Sequence, residues 1–207
     1  MPGKTEKIME KTETMPDKKE AIMEAALLLF TKRGFHGTPT SLISKEAGVA
    51  TGTLFHYFKT KEELIDALYT KLKAEYRESL IEGLDYSLTV EEKMKTLCKN
   101  SILWAVNNPE KYSFIRLFCS SPVISGRTRE DTHSRFTFVF DIFKEGISSG
   151  IFHDGGDELP VIMYISAVNG VCEYIINNNM QNEAESISDR AFDQIWKGIT
   201  QKQRLKN

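Results

Sequence analysis

Residues 47–58 read Ala-Gly-Val-Ala-Thr-Gly-Thr-Leu-Phe-His-Tyr-Phe, and this stretch decides how the N-terminal part of the chain folds. Gly48 predicts a tight turn between two short helices, because glycine adopts backbone angles that other residues avoid. Leu54 and Phe58 are four residues apart, so they share the inward face of the helix that follows the turn. Its other side then carries polar residues, which are Thr51, Thr53, His56 and Tyr57.

These two short helices are the second and third counted from the N-terminus, and the residues on either side predict a first and a fourth. The first runs from about Lys18 to Arg33, where apolar residues recur at helical spacing and Gly34 follows as a stop signal. Thr38 is expected to cap the second helix and Pro39 to take its first position. Thr60 opens a capping box that starts a long fourth helix. Two short helices joined by a glycine turn and preceded by a supporting helix form a helix-turn-helix.

The rest of the chain also shows helical periodicity and no convincing strand, which predicts an all-α fold. Thr89 opens a second capping box, and Asn108-Pro109 is expected to end one helix and cap the next. One continuous helix is predicted from about Thr128 to Gly150, and a last helix from about Ser188. Residues 155–157, Gly-Gly-Asp, are expected to form a turn and a cap.

The composition is that of a soluble protein with one large or two small domains, since 41% of its 207 residues are apolar and 27% are charged. We find no run of eighteen apolar residues and no secretory signal, so we expect a cytoplasmic protein without a membrane helix. The three cysteines are scattered, without a CxxC spacing or a paired histidine. We therefore predict reduced thiols and no metal site, cofactor or catalytic residue.

Charge is distributed unevenly along the chain, whose net charge is -2. Residues 1–61 contain ten Lys and Arg against seven Asp and Glu, a net +3, whereas residues 62–207 contain seventeen against twenty-two, a net -5. A basic front and an acidic rear indicate that only the front meets phosphate groups.

The front of the chain resembles the N-terminal signature of the TetR (tetracycline repressor) family in order and spacing. The matching residues are Gly34-Phe35, Thr38, Ile43, Ala47-Gly48-Val49, Gly52 to Phe58 and Lys61-Glu62-Glu63-Leu64. The match covers about a quarter of the chain and is specific, because a dozen positions must coincide. The resemblance implies an N-terminal three-helix helix-turn-helix domain and a larger helical domain for effector binding and dimerisation. We divide the chain into a flexible tail (1–17), a DNA-binding domain (18–62) and an effector and dimer domain (63–207).

The expected partner of the front is double-stranded operator DNA, read in the major groove by the third helix. Thr38 and Thr40 stand at the start of the second helix, where hydroxyls and free N–H groups can hold a phosphate. The resemblance implies further DNA contacts from Thr40, Ser41, Thr51, Gly52, Thr53, His56, Tyr57 and Lys61.

Three residues depart from the family's usual pattern. Phe55 replaces a usual Tyr and so lacks a hydroxyl for phosphate. Ala50 replaces a usual capping Ser or Thr, a role that Thr51 is expected to assume. Ser44 stands where Ala is usual, which predicts a mild change in packing.

Aromatic residues at helical spacing in the rear predict a core, and in a helix bundle the same residues can line an effector pocket. The candidates for this pocket are Trp104, Phe114, Phe118, Phe136, Phe140, Phe143 and Tyr164. The resemblance also implies that the last two helices pair with those of a second copy in a homodimer. The candidates for that interface are Val161, Ile165, Val168, Cys172, Ile195 and Trp196. The sequence does not name the effector, although its aromatic residues suggest a largely apolar one.

The leading hypothesis is a ligand-responsive regulator, more often a repressor in this family, whose long fourth helix connects the effector pocket with the DNA reader. A second hypothesis is a DNA-binding architectural or division-related protein that uses the same fold without an effector. A third is an all-helical enzyme, which would need a nucleophile–base pair or paired carboxylates in a cleft. The sequence shows no such constellation.

Overall fold

The structure is a computed structural model that describes residues 17–152 and 158–201. Within these ranges the chain is helical apart from its connections and an isolated bridge between Phe152 and Thr200. The tail at residues 1–16 and the turn expected at residues 155–157 lie outside the described residues. The α-helices are α1 (Lys18–Arg33), α2 (Thr40–Glu46), α3 (Thr51–Tyr57), α4 (Lys61–Ile81), α5 (Val90–Asn107), α6 (Pro109–Phe118), α7 (Gly126–Ser134), α8 (Thr137–Ser148), α9 (Leu159–Asn177) and α10 (Ala184–Ile199).

Helices α1, α2 and α3 pack together over the start of α4. Each contributes fully buried apolar side chains to one core, which are Ile22, Ala26, Phe30, Ile43, Leu54, Leu64 and Ile65. Gly48 has a φ of 65°, so the turn between α2 and α3 takes the left-handed conformation that the sequence predicted. The all-helical fold with an N-terminal helix-turn-helix is therefore confirmed.

Behind this unit, α5 lies at the centre and packs against α4, α8, α9 and α10. Helix α6 packs against both α1 and α4, so two helices connect the front of the molecule with the rear. Helix α4 also runs without a break across residue 62, where we placed a domain boundary. That division of the chain stays a prediction.

The prediction of one continuous helix from Thr128 to Gly150 is wrong, because the structure has two helices there, α7 and α8. Helix α7 ends at Ser134, and the side chain of Thr137 donates to the carbonyl of Ser134. The carbonyl of Arg135 accepts a hydrogen bond from Nε of Arg77 in α4, at 3.0 Å. This partner is 58 positions away along the chain, so local periodicity could not predict the break.

Two other helix ends differ from the predictions. The side chain of Asn108 donates to the carbonyl of Trp104 and so ends α5, but it makes no capping bond to α6. Helix α10 begins at Ala184, ahead of the predicted start at Ser188. The Ser188 hydroxyl donates to the carbonyl of Glu185 within the helix, so it does not act as a cap.

Helix α9 is long and apolar enough to cross a membrane by length and composition alone, although polar residues interrupt it and no eighteen apolar residues follow one another. It packs against α5, α8 and α10 of the same chain. Several of its apolar residues are buried there, as in a core helix of a soluble protein. Its composition is therefore weak support for a membrane span.

Candidate functional site

Helix α3 buries the residues of its inward side and exposes residues of its other side. Leu54 is fully buried, and Phe58 just after the helix is nearly so. Thr51, Gly52 and His56 are exposed, while Thr53 and Tyr57 are half-buried. Gly52, Thr53 and His56 therefore lie on the side of the helix away from Leu54, whereas the Thr51 hydroxyl meets Ser44 and Tyr57 packs partly against the core. DNA contact by these five residues stays a prediction. Phe55 adds an apolar ring to the same helix, 40% exposed.

At the start of α2, Thr38 does not act as predicted. Its side chain is fully buried, and its hydroxyl donates to the carbonyls of Leu29 and Gly34. A hydroxyl engaged inside the fold cannot hold a phosphate, so that assignment is corrected. Pro39 is the N-cap of α2 and Thr40 its first residue. Thr40 is half-buried and Ser41 is exposed, so both remain candidates for DNA contact.

The ammonium of Lys61 is also engaged inside the fold. Its Nζ donates to the carbonyl of Phe35 at 2.9 Å and to that of Thr38 at 3.2 Å. It lies 4.1 Å from the centre of the Phe35 ring, within the range of a cation–π contact. Lys61 therefore fastens the α1–α2 connection to α4, a role that the sequence did not predict. Its contact with a DNA phosphate stays a prediction.

Ser44 and Thr51 form a link across the turn that the sequence did not predict. Ser44 is buried, and the two hydroxyl oxygens lie 3.0 Å apart. Thr51 does not take over the cap of α3 as expected, since the N-cap is Ala50 and no side chain caps this helix end. Two of the departures from the family pattern therefore have structural consequences. Ser44 adds a hydroxyl that joins α2 to α3, and Ala50 leaves the start of α3 without a side-chain cap.

Gly52 has no packing reason to be glycine. A Cβ atom built there meets no atom of the protein within 4 Å, and its φ is not in the left-handed region. Glycine inside a helix costs about 1 kcal/mol relative to alanine. A bare backbone on an exposed helix face allows another molecule to approach closely.

A cavity of about 290 Å³ lies in the rear of the molecule, between residues of α4, α5, α6, α7, α8 and α9. Three of the seven predicted pocket residues line it, which are Phe136, Phe140 and Tyr164. The other four are buried in the surrounding core instead, which are Trp104, Phe114, Phe118 and Phe143. Periodicity identified them as inward-facing but could not separate core from cavity wall.

The polar residues of this cavity were missed by sequence reasoning. They include Lys73, Tyr76, Ser101, Arg116, His133 and Asn169. Lys73 stands four residues after Tyr69 and seven before Leu80, two buried residues of α4. A lysine within a buried helical stripe was a signal that could have been used.

Burial shifts the pKa of two polar groups of the cavity, Lys73 and Tyr76. It lowers the pKa of Lys73 to about 8, although the nearby Cys119 thiol opposes that shift. Burial raises the pKa of Tyr76 to about 12, so its phenol is neutral. The Tyr76 hydroxyl lies 2.7 Å from the Ser101 hydroxyl. The cavity thus offers an apolar wall with a cation and neutral hydrogen-bonding groups.

Most of the predicted dimer residues on α9 are already buried within the chain. Val161, Val168 and Cys172 belong to the core, which corrects their assignment to an interface. Ile165 is exposed, as are four other large apolar residues of this helix, Leu159, Ile162, Met163 and Tyr174. On α10, Ile195 is half-buried, and Trp196 contacts the rings of Phe152 and Phe192. These two stay predictions.

Comparison with known proteins agrees with this geometry. Residues 22–68 match the family model described as bacterial regulatory proteins, tetR family. The fatty acid metabolism regulator protein of Bacillus subtilis is 25% identical over 184 residues, which are 87% of this chain and 95% of the relative. A Shewanella sp. PV-4 protein assigned to the tetR family of transcription regulators superimposes with a TM-score of 0.79 at 29% identity. That alignment covers 90% of this chain and all of the other.

The chain belongs to the TetR family of transcriptional regulators. As a TetR-family member it is a DNA-binding regulator and not an enzyme. The Bacillus subtilis regulator FadR, solved in complex with stearoyl-CoA, has the same fold, with a TM-score of 0.71 at 22% identity. It covers 87% of this TetR-family chain, and 98% of its own length is matched.

Proposed function

We propose that this protein is a cytoplasmic repressor that leaves a palindromic operator when a small, largely apolar effector enters the cavity. The observation that carries the proposal is that α4 and α6 each contact both the helix-turn-helix and the cavity. Leu64 and Ile65 of α4 lie in the front core, and Lys73 and Tyr76 line the cavity.

Helix α6 provides a second connection, which the sequence did not indicate. Its Phe118 ring lies 6.3 Å from the ring of Phe30 in α1. On the same helix, Arg116 lines the cavity. An effector that prefers one position of α4 and α6 therefore also changes the position of α1 and the helices packed on it. Typical coupling between two such sites is about 1–3 kcal/mol.

The effector class is supported by the cavity and by the relatives. The cavity wall is mostly apolar, with Leu80, Leu97 and Val139 among its residues. The relatives include a fatty acid metabolism regulator and a structural neighbour in complex with stearoyl-CoA. We propose an effector with an acyl chain. A formed cavity also favours this reading over a DNA-binding protein that acts without an effector.

The proposed active form is a homodimer joined through α9 and α10. Ile162 and Tyr174 of α9 are 56% and 53% exposed, which is costly for large apolar side chains that nothing covers. A two-fold dimer places two α3 helices on DNA about one helical turn apart, so that each reads one half of a palindrome.

Binding of the purified protein to the intergenic DNA beside its own gene tests this proposal. Fluorescence anisotropy at two salt concentrations should show preference for a palindromic segment and a steep loss of affinity with salt. Addition of an acyl ligand should then release the DNA. Equal affinity for the palindrome and for a scrambled duplex would contradict operator recognition.

A further inference from the structure

Lys73 is a cation of the cavity wall that pairs with no carboxylate of the described residues. Within the described parts of the chain no Asp or Glu lines the cavity, whereas Lys73 and Arg116 both line it. Arg116 already pairs with Glu173, at 3.3 Å. Among the described residues, Nζ of Lys73 has neither a hydrogen-bond acceptor nor an ion-pair partner. The two other lysines of this helix region behave differently, since Lys71 and Lys61 are both engaged.

The surroundings of Lys73 compensate its burial only in part. Its Nζ lies 3.8 Å from the centre of the Phe136 ring and 5.8 Å from that of Tyr76. Aromatic faces stabilise an ammonium, but they accept no ordinary hydrogen bond. Burying a charge without a paired and hydrogen-bonded partner is costly, so proteins keep such groups mainly where a ligand supplies the partner.

We propose that Lys73 anchors the anionic head group of the effector, and that this group is the carboxylate of an apolar acid whose chain lies along Leu80, Leu97 and Val139. This inference rests on the proposed function, which it makes more specific. A charge-assisted hydrogen bond from Nζ to the ligand's carboxylate would give Lys73 the anionic partner that the described residues do not supply. Of the two hydroxyl hydrogens of Tyr76 and Ser101, one lies in the hydrogen bond between these residues. The other is left to donate to a ligand in the cavity.

An anionic oxygen could also come from the phosphates of a nucleotide thioester. The cavity volume, about 290 Å³, is at the lower end of the range for small-molecule pockets. That volume suits an acid of moderate chain length and is small for an acyl chain and a whole nucleotide together. A single unpaired cation likewise matches one carboxylate better than several phosphates. The geometry therefore favours the free acid.

Calorimetric titration at pH 7 with three probes distinguishes these ligands, namely decanoate, decanol and decanoyl-CoA. Decanoate should bind the wild-type protein about tenfold or more tightly than decanol, since a hydrogen bond to a charged group contributes about 1.5–3 kcal/mol. In Lys73→Met, decanoate should lose that advantage, while decanol should bind as before. Lys73→Arg should restore part of the preference for the acid.

Lys144→Met is the matched control, because Lys144 is an exposed lysine of α8 that pairs with Asp141. It should bind all three probes as the wild type does. Thermal melting separates an anchoring role from a structural one. Removing a half-buried ammonium that has no ion-pair partner among the described residues should leave the melting temperature of Lys73→Met equal or higher, whereas a lysine that holds the fold together would lower it.

Three results would overturn the inference. They are no binding of decanoate, equal affinity of the wild type for decanoate and decanol, or unchanged decanoate affinity in Lys73→Met. Tighter binding of decanoyl-CoA than of decanoate would overturn the choice of a free acid. The proposed function fails separately, namely when a ligand that binds the cavity leaves operator affinity unchanged.

Discussion

The helix-turn-helix and the cavity differ in what their polar side chains do. In the front, Thr38, Lys61 and the Ser44–Thr51 pair all form hydrogen bonds with other groups of the protein. In the rear, Lys73 lines the cavity and has no hydrogen-bond acceptor or ion-pair partner among the described residues. The difference indicates a DNA reader that is rigid before it binds and a ligand site that is completed by its ligand. Each prediction below tests one side of this contrast.

The largest effect is expected from Thr53→Ala combined with His56→Ala. Each base contact contributes about 1–3 kcal/mol of discrimination, so the double variant should lose about 100-fold of its preference for the operator. Competition between operator and scrambled duplex in fluorescence anisotropy measures the ratio. Ser186→Ala, an exposed site on α10, is the control. Ligand binding should not change, and a parallel loss of it would show that the two sites are not separable.

Lys61→Ala should lower the free energy of unfolding by about 2 kcal/mol, because two carbonyls lose a charged donor. Urea denaturation measures the change. Lys59→Ala is the matched control, since that lysine is an exposed neighbour. A variant of Lys61 that is as stable as the wild type and yet binds all DNA weakly would support its predicted role as a phosphate contact.

Gly52→Ala should stabilise the protein by about 1 kcal/mol and weaken operator binding about tenfold. The new methyl group meets open space in the free protein but lies on the proposed DNA-facing side. Melting temperature and anisotropy report the two effects. Gly126→Ala in α7, also without neighbours around the added Cβ, should leave DNA binding unchanged. If Gly52→Ala bound the operator as tightly as the wild type, this side of α3 would not be part of the DNA interface.

The smallest effect concerns the hydroxyl link between α2 and α3. A double-mutant cycle of Ser44→Ala and Thr51→Val should give a coupling of about 1 kcal/mol in the free energy of unfolding. Additive effects of the two substitutions would mean that the link contributes nothing to the rigidity of the DNA reader.

Local signals in the sequence predicted much of the front correctly. Helix α1 has the predicted bounds, and Gly48 makes the predicted turn. Capping and periodicity depend on residues within one or two turns, so the sequence displays them directly. The side-chain partners of Thr38 and Lys61 come from other elements, as much as 26 positions away, and sequence reasoning assigned both residues to DNA instead.

The rear was less predictable because its site depends on how six helices are arranged. Periodicity marked Phe114 and Phe140 alike as inward-facing, yet only Phe140 reaches the cavity. Likewise Val168 and Ile165 belong to one apolar stripe, but Val168 is core and Ile165 is exposed. At the break between α7 and α8, the Arg135 carbonyl accepts a hydrogen bond from Arg77 of α4. Distant partners of this kind leave no local pattern.

The central claim is that a ligand in the cavity alters DNA binding at a distance. Operator affinity of the wild-type protein should be measured by anisotropy with and without saturating decanoate, and in parallel with decanoyl-CoA. The account predicts that the ligand that binds the cavity weakens operator binding by about 5- to 150-fold. Unchanged operator affinity at full occupancy of the cavity would contradict it.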